Sequence, residues 1–193
     1  MRSPPFDAQG WHRRARRVPS PNHDPRPPGV APDLLVVHHI SLPPGRFGGD
    51  AIERLFTNAL DPQAHPGFES LAGLRVSAHF LIRRRGELLQ FVSCDARAWH
   101  AGVSCFQGRV RCNDFSIGVE LEGTGERPYT AAQYRVLATL ARALARRWPL
   151  RHVAGHSDIA AGRKTDPGPS FDWPRLLEAL AGSGLERPFS TVR

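Results

Sequence analysis

The stretch DLLVVHHIS, residues 33–41, constrains this chain more than any other. Four aliphatic residues, two of them β-branched, run without a polar break into two adjacent histidines. Pro43, Pro44 and Gly45 then stop any regular element. Such a run reads as a buried strand. A buried strand needs cover on both faces, so the chain must build a sheet with packed layers.

Elements of both kinds surround that strand. GGDAIERLFTNAL (48–60) reads as a short helix with Asp50 as N-cap. Residues 60–75 are rich in loop formers. VSAHFLIRR (76–84), a turn at Arg85-Gly86 and ELLQFVS (87–93) read as a β-hairpin. Residues 97–114 carry Gly and polar residues throughout and read as loop. FSIGVELEG (115–123) is a further strand. In 130–149, Thr130 and Gln133 have capping-box spacing. Tyr134, Leu137, Leu140, Ala141 and Leu144 follow as an apolar stripe at helical period. HVAGHS (152–157) reads as a short strand. FDWPRLLEALAG (171–182) is a last helix with Pro174 in its first turn, where no amide hydrogen is missed. Strands and helices mix without a regular βαβ repeat. The expected architecture is α/β: one domain with a mixed central β-sheet flanked by helices. Residues 1–32 are a Pro/Arg-rich arm that either wraps the domain or hangs loose, 33–182 form the domain, and 183–193 a tail.

The formal net charge is +8, carried mainly by arginine. Nucleic-acid binding, an anionic substrate and a simple arginine bias all fit that number. No long Lys/Arg block interleaved with aromatics appears; the densest clusters are Arg13–Arg17 and Arg83–Arg85, so nucleic acid is not expected as a partner. No apolar run could serve as an export signal, and none approaches the ~20 residues of a membrane span. Cys94, Cys105 and Cys112 are odd in number and match no CxxC pair. They read as reduced thiols in the cytoplasm.

Chemistry concentrates at strand ends. His38 and His39 close the first strand, but successive side chains alternate faces, so one of the two is expected at any one site. His156 ends a strand too, and Asp166 follows in a loop stiffened by Pro167 and Pro169. Two histidines and a carboxylate make an open zinc set that leaves a fourth position for water. Short helical zinc motifs such as HExxH are absent. In FSIGVELEG, alternation puts Gly118, Glu120 and Glu122 on one small, acidic face. That face is either exposed to solvent or places a carboxylate over a cleft as general acid/base. Periodicity does not choose between Glu120 and Glu122.

Together, VVHHISLPPGRFGG, the segment from Asp61 to Val92, RAWHAGVSCFQGRVRCNDFSIGVELEG and GHSDIAAGRKTDPGPSFDW resemble the N-acetylmuramoyl-L-alanine amidase type 2 family. Within it the likeness is to the cytoplasmic branch that acts on 1,6-anhydro-muropeptides. Phage T7 lysozyme and the peptidoglycan recognition proteins are relatives. The resemblance runs in order from about residue 11 to 181. It implies a zinc hydrolase with one Zn²⁺ per chain, held by His38, His156 and Asp166. It implies Glu120 as general acid/base and Lys164 as the group that stabilises the transition state. The reaction implied is hydrolysis of the amide between the lactyl group of anhydro-N-acetylmuramic acid and L-alanine, in cell-wall recycling.

Two departures stand out. His39 follows the first ligand where the cytoplasmic enzymes often carry Asn, which leaves His39 as a competing ligand or substrate contact. Ala78 stands where the phage and recognition-protein branch carries a catalytic Tyr, which leaves proton transfer to Glu120. Arg75 and Arg111 are candidates for the stem-peptide carboxylates, because guanidinium pairs with carboxylate bidentately. Trp99 and His100 are candidates to line the groove, with a core role as the alternative for Trp99. His65 and His79 read as structural. The competing functional readings are an envelope amidase, a non-catalytic recognition module and a nucleic-acid binder. A monomer is expected, with no membrane partner.

Overall fold

The computed structural model describes residues 3–189. The first two residues of the expected arm and the last four of the expected tail lie outside that range. In chain order the strands and helices are β1 (Arg16–Arg17), β2 (His23–Pro25), β3 (Leu34–Ile40), α1 (Ala51–Phe56), β4 (Phe80–Ile82), β5 (Leu88–Gln90) and β6 (Ala96–Ala98). Then come β7 (Cys105–Phe106), β8 (Arg109–Val110), β9 (Ser116–Glu122), α2 (Ala131–Ala145), β10 (His152–Gly155), α3 (His156–Ile159) and α4 (Trp173–Leu180). Six strands form one mixed sheet in the order β1-β5-β4-β9-β3-β10. The four from β4 to β10 are mutually parallel; β5 lies antiparallel to β4, and β1 parallel to β5. This is the expected α/β architecture. Among the described residues no helix is long and apolar enough to cross a membrane.

Register divides the sheet into two unlike faces. Val37 of β3 lies beside Val119 of β9, which lies beside Phe80 of β4. These side chains pack under α2 and α4 in one apolar core. The expected stripe from Tyr134 to Leu144 is buried there, at roughly 1.5–3 kcal/mol for each fully covered leucine. The capping box forms as its spacing predicts, with Gln133 N–H donating to Thr130 Oγ1 at 3.2 Å and Thr130 N–H to Gln133 Oε1 at 3.1 Å. Gln133 Nε2 also donates to the carbonyls of Ile82 and Glu122, which ties the helix start to β4 and β9.

The opposite face carries Leu34, Val36 and His38 on β3, beside Ser116, Gly118 and Glu120 on β9. It is not exposed to solvent. Ser116 and Gly118 are buried under the 97–114 segment, and Glu122 is 2 % exposed. Glu122 accepts from Arg83 Nη1 at 2.9 Å, Gly48 N at 2.7 Å and Arg84 N at 3.1 Å. Arg83 continues to Glu53 at 2.7 Å, and Glu53 to Arg16. Glu122 is therefore a buried ion-pair member that ties α1, β4 and the arm together, and physical partners separate it from Glu120.

Several expected elements are shorter than their patterns. β4 begins at Phe80, not at 76, because Ser77 N–H donates to Trp99 O and His79 N–H to Gly118 O. Asp50 precedes α1 without a side-chain cap bond; its carboxylate pairs with Arg54 instead. The expected loop at 97–114 holds regular structure. Gln107 and Gly108 both have positive φ, 49° and 80°, which makes the two-residue hairpin turn joining β7 to β8. Gln is unusual in that turn, so the sequence pattern hides it. His156 opens α3, not a strand end. The arm wraps the domain: Phe6 is buried edge-on against Trp148, and the Arg26 guanidinium reaches the carbonyls of Asp114 and Ser116, both at 2.9 Å.

Candidate active site

The parallel strands end at an open cleft of about 390 Å³. His38 comes from β3, Glu120 from the adjacent position on β9, and His156 from the turn where β10 becomes α3. Asp166 arrives from the following loop. Two hydrogen bonds to its carbonyls fix that loop, Ser157 N–H to Asp166 O at 2.8 Å and Tyr129 O–H to Pro167 O at 2.7 Å. Gly168 passes so close to Gly125 that a Cβ there would lie 2.3 Å from the Gly125 Cα, and its φ is +86°. Only glycine allows that approach.

His38 Nδ1, His156 Nδ1 and Asp166 Oδ2 form a triangle with edges of 3.0, 3.0 and 3.1 Å. All three residues are buried. Burial pushes the His38 imidazole down to about 4, the neighbouring Asp166 carboxylate only partly offsetting it, so the ring is neutral near pH 7. His156 Nε2 donates to Ala101 O at 3.1 Å, so Nδ1 is the ring nitrogen available to a ligand bond. An ionised Asp166 has only lone pairs. His156 Nδ1 and Asp166 Oδ2 lie 3.1 Å apart beside His38 Nδ1, a buried cluster of donor atoms that suits a cation. The edges suit a tetrahedral ion with bonds of about 2.0–2.1 Å, which needs edges of about 3.3 Å. The donor set fits zinc. His39 is not part of the triangle; it sits on the alternate face, its ring near Gly125.

Glu120 has one carboxylate oxygen, Oε2, that is buried without a hydrogen-bond partner among the described residues. Burial raises its pKa well above the ordinary carboxylate range, the Asp166 charge adds to that, and the Lys164 ammonium opposes it. A carboxyl group tuned upward in a cleft suits proton transfer near neutral pH. Lys164 lies exposed at the mouth.

His39, Trp99 and His100 all line the cleft. Arg75 lines a smaller hollow next to it, sharing Leu55 and Leu74 with the cleft wall. Arg111 is not brought into the cleft; it is exposed at the exit of β8 and pairs with Asp114 at 3.3 Å. Arg163 is a cleft residue that sequence reasoning passes over. Its Nη2 donates to Ala101 O at 2.9 Å and to Val103 O at 2.5 Å. The one available signal was its place beside Lys164. His79 is buried and bonded to Gly118 N and Ala96 O, a structural role as expected.

Comparisons with known proteins agree with this geometry. The N-acetylmuramoyl-L-alanine amidase family matches residues 28–169. The 1,6-anhydro-N-acetylmuramyl-L-alanine amidase AmpD of Escherichia coli (strain K12) is 63% identical over 170 residues, 87% of this chain and 93% of that protein. A crystal structure of a selenomethionine AmpD derivative superposes with a TM-score of 0.88 at 59% identity, covering 91% of this chain and 98% of the other. The N-acetylmuramyl-L-alanine amidase AmiD of Escherichia coli, in complex with the substrate anhydro-N-acetylmuramic acid-L-Ala-D-gamma-Glu-L-Lys, superposes with a TM-score of 0.56 at 27% identity, covering 90% of this chain and 65% of that one.

Proposed function

The chain belongs to the N-acetylmuramoyl-L-alanine amidase family, and we propose that it is a zinc-dependent amidase acting on cytoplasmic anhydro-muropeptides in cell-wall recycling. It hydrolyses the amide between the lactyl group of 1,6-anhydro-N-acetylmuramic acid and L-alanine, as a monomer with one zinc. The observation that carries this reading is the triangle of His38, His156 and Asp166 with, in the same cleft, a Glu120 carboxylate oxygen that has no partner among the described residues. The substrate follows from the AmpD relatives, which this chain matches over nearly their whole length.

His38, His156 and Asp166 would hold the ion, which when bound supplies a Lewis acid that polarises the scissile carbonyl and acidifies water. Glu120 takes a proton from the attacking water and delivers it to the leaving L-alanine nitrogen. Its raised affinity for a proton serves the second half of that cycle. The Lys164 ammonium stabilises the negative charge that develops on the carbonyl oxygen, an effect worth ~10²–10³ in rate for a single donor. Arg75, in the adjoining hollow, is placed to pair with stem-peptide carboxylates, and Trp99 to flank the sugar or peptide. The free thiols of Cys94, Cys105 and Cys112 are consistent with a reducing compartment.

The test is zinc content together with hydrolysis of anhydro-muramyl tripeptide by wild type, His38→Ala and His39→Ala. One zinc per chain is expected, with zinc and activity lost in His38→Ala and zinc kept in His39→Ala. A wild type that binds no zinc and cleaves nothing would leave a non-catalytic recognition module.

A further inference from the structure

We propose that His100 and Ser116 are positioning residues for the first metal ligand: they dictate which ring nitrogen of His38 carries the proton. The proposal rests on the zinc reading above. His38 Nε2 lies 2.9 Å from His100 Nδ1. His100 Nε2 lies 3.2 Å from Ser116 Oγ, and Ser116 Oγ lies 2.5 Å from Cys112 O. Four groups thus form one hydrogen-bonded line running away from the cleft.

The direction of that line is set at its far end. A backbone carbonyl only accepts, so the single Ser116 hydroxyl hydrogen goes to Cys112 O. Ser116 Oγ must then accept from His100 Nε2–H. A neutral His100 with hydrogen on Nε2 has a bare Nδ1, which must accept from His38 Nε2–H. His38 Nδ1 is left as a lone pair, and Nδ1 is the atom in the ligand triangle. His156 reaches the same tautomer by one direct bond to Ala101 O.

The His100 ring has little freedom to break this line. Its backbone N–H and that of Ala101 both donate to Asn113 Oδ1, at 3.1 and 2.8 Å. Arg163 holds the carbonyl of Ala101 from the other side. The ring stands edge-on to His38, centroids 5.0 Å apart, and rests on Gly118, where any Cβ would lie 2.5 Å from His100 Cγ. The 99–103 segment therefore orients both histidine ligands, His38 through a side chain and His156 through a carbonyl. His100 lines the cleft, but its two ring nitrogens are already committed to protein partners.

Zinc titrated into the metal-free full-length protein against a competing chelator tests this. The variants are Ser116→Ala, His100→Leu and His100→Asn, with circular dichroism to check folding and kcat and KM measured at saturating zinc. Ser116→Ala and His100→Leu are expected to weaken zinc binding about 10–100-fold, the usual cost of losing a partner behind a ligand. His100→Asn keeps an acceptor for His38 Nε2 and should recover most of that loss, with KM unchanged in all three. Unchanged zinc affinity in both Ser116→Ala and His100→Leu would overturn the proposal. So would a rise in KM with zinc affinity intact, which would make His100 a substrate contact. Both of those results leave the amidase reading standing; a wild type without zinc or activity would overturn both.

Discussion

Gly118→Ala is the sharpest test of how the sheet presents this site. The added methyl would sit 2.5 Å from His100 Cγ, 2.6 Å from Nδ1 and 2.7 Å from Cδ2. Relaxed carbon contacts lie at about 3.5–4.0 Å, so something must move by about 1 Å. The strand cannot give, because β9 is paired on both edges, by β3 and β4. The ring must move instead, which takes the 2.9 Å His38–His100 contact beyond hydrogen-bonding range. Overpacking of this kind costs about 1–3 kcal/mol. At roughly 2–4 °C per kcal/mol for a chain of this size, the melting temperature should fall by about 2–12 °C. Thermal unfolding followed by circular dichroism reads that directly, and zinc competition on the same sample should show weaker binding. A melting temperature and zinc affinity both equal to wild type would refute the packing argument, since the methyl would then have found room that the geometry denies it.

Lys164→Ala should keep its fold and its zinc, because the side chain is exposed, and lose ~10²–10³ in kcat; wild-type turnover would remove Lys164 from the reaction. Glu120→Gln keeps the shape but not the proton acceptor, so kcat should drop ~10²–10⁴ with metal content unchanged, as read by elemental analysis. Glu122→Ala should do the reverse: it strips a buried partner from Arg83 and destabilises by on the order of 3 kcal/mol in urea unfolding, while kcat of the folded protein holds. Buried His79 is held neutral, its pKa well below the unfolded value of ~6.5 by burial and by Arg26. The unfolded chain therefore binds the extra proton as pH falls below ~6.5, so stability is full above that pH and declines beneath it, by up to about 1.4 kcal/mol per pH unit for this one group. His79→Asn should flatten the fall between about pH 6 and pH 5 by one proton's worth; an unaltered slope would show that His79 is not the group that titrates.

Much of this molecule was legible in local pattern. The run ending at Val37 dictated a buried strand, the Thr130–Gln133 spacing a helix start, and alternation placed Gly118, Glu120 and Glu122 on one face. The resemblance pointed to His38, His156 and Asp166, which the fold then brings together, although they lie 118 and 10 positions apart in pairs. These features were readable because a strand period of two and a helix cap act between near neighbours.

Alternation states which side chains share a face, but not which face is covered or what covers it. That decision needed α2 and α4 packed on Val37, Val119 and Phe80, which leaves His38 and Glu120 side by side on the cleft face and His39 outside the triangle of His38, His156 and Asp166. Glu120 and Glu122 look alike in sequence; a guanidinium on Arg83, 39 residues from Glu122, makes one an ion-pair member, while the other keeps an oxygen with no partner among the described residues. The histidine tautomers are set by the carbonyls of Ala101 and Cys112, groups that every residue type possesses and no sequence pattern can mark. What the sequence determined by itself were the elements and the chemistry available to them. Tertiary structure alone decided which carboxylate faces the cleft and which histidine nitrogens face the triangle, because those choices depend on contacts between residues far apart in the chain.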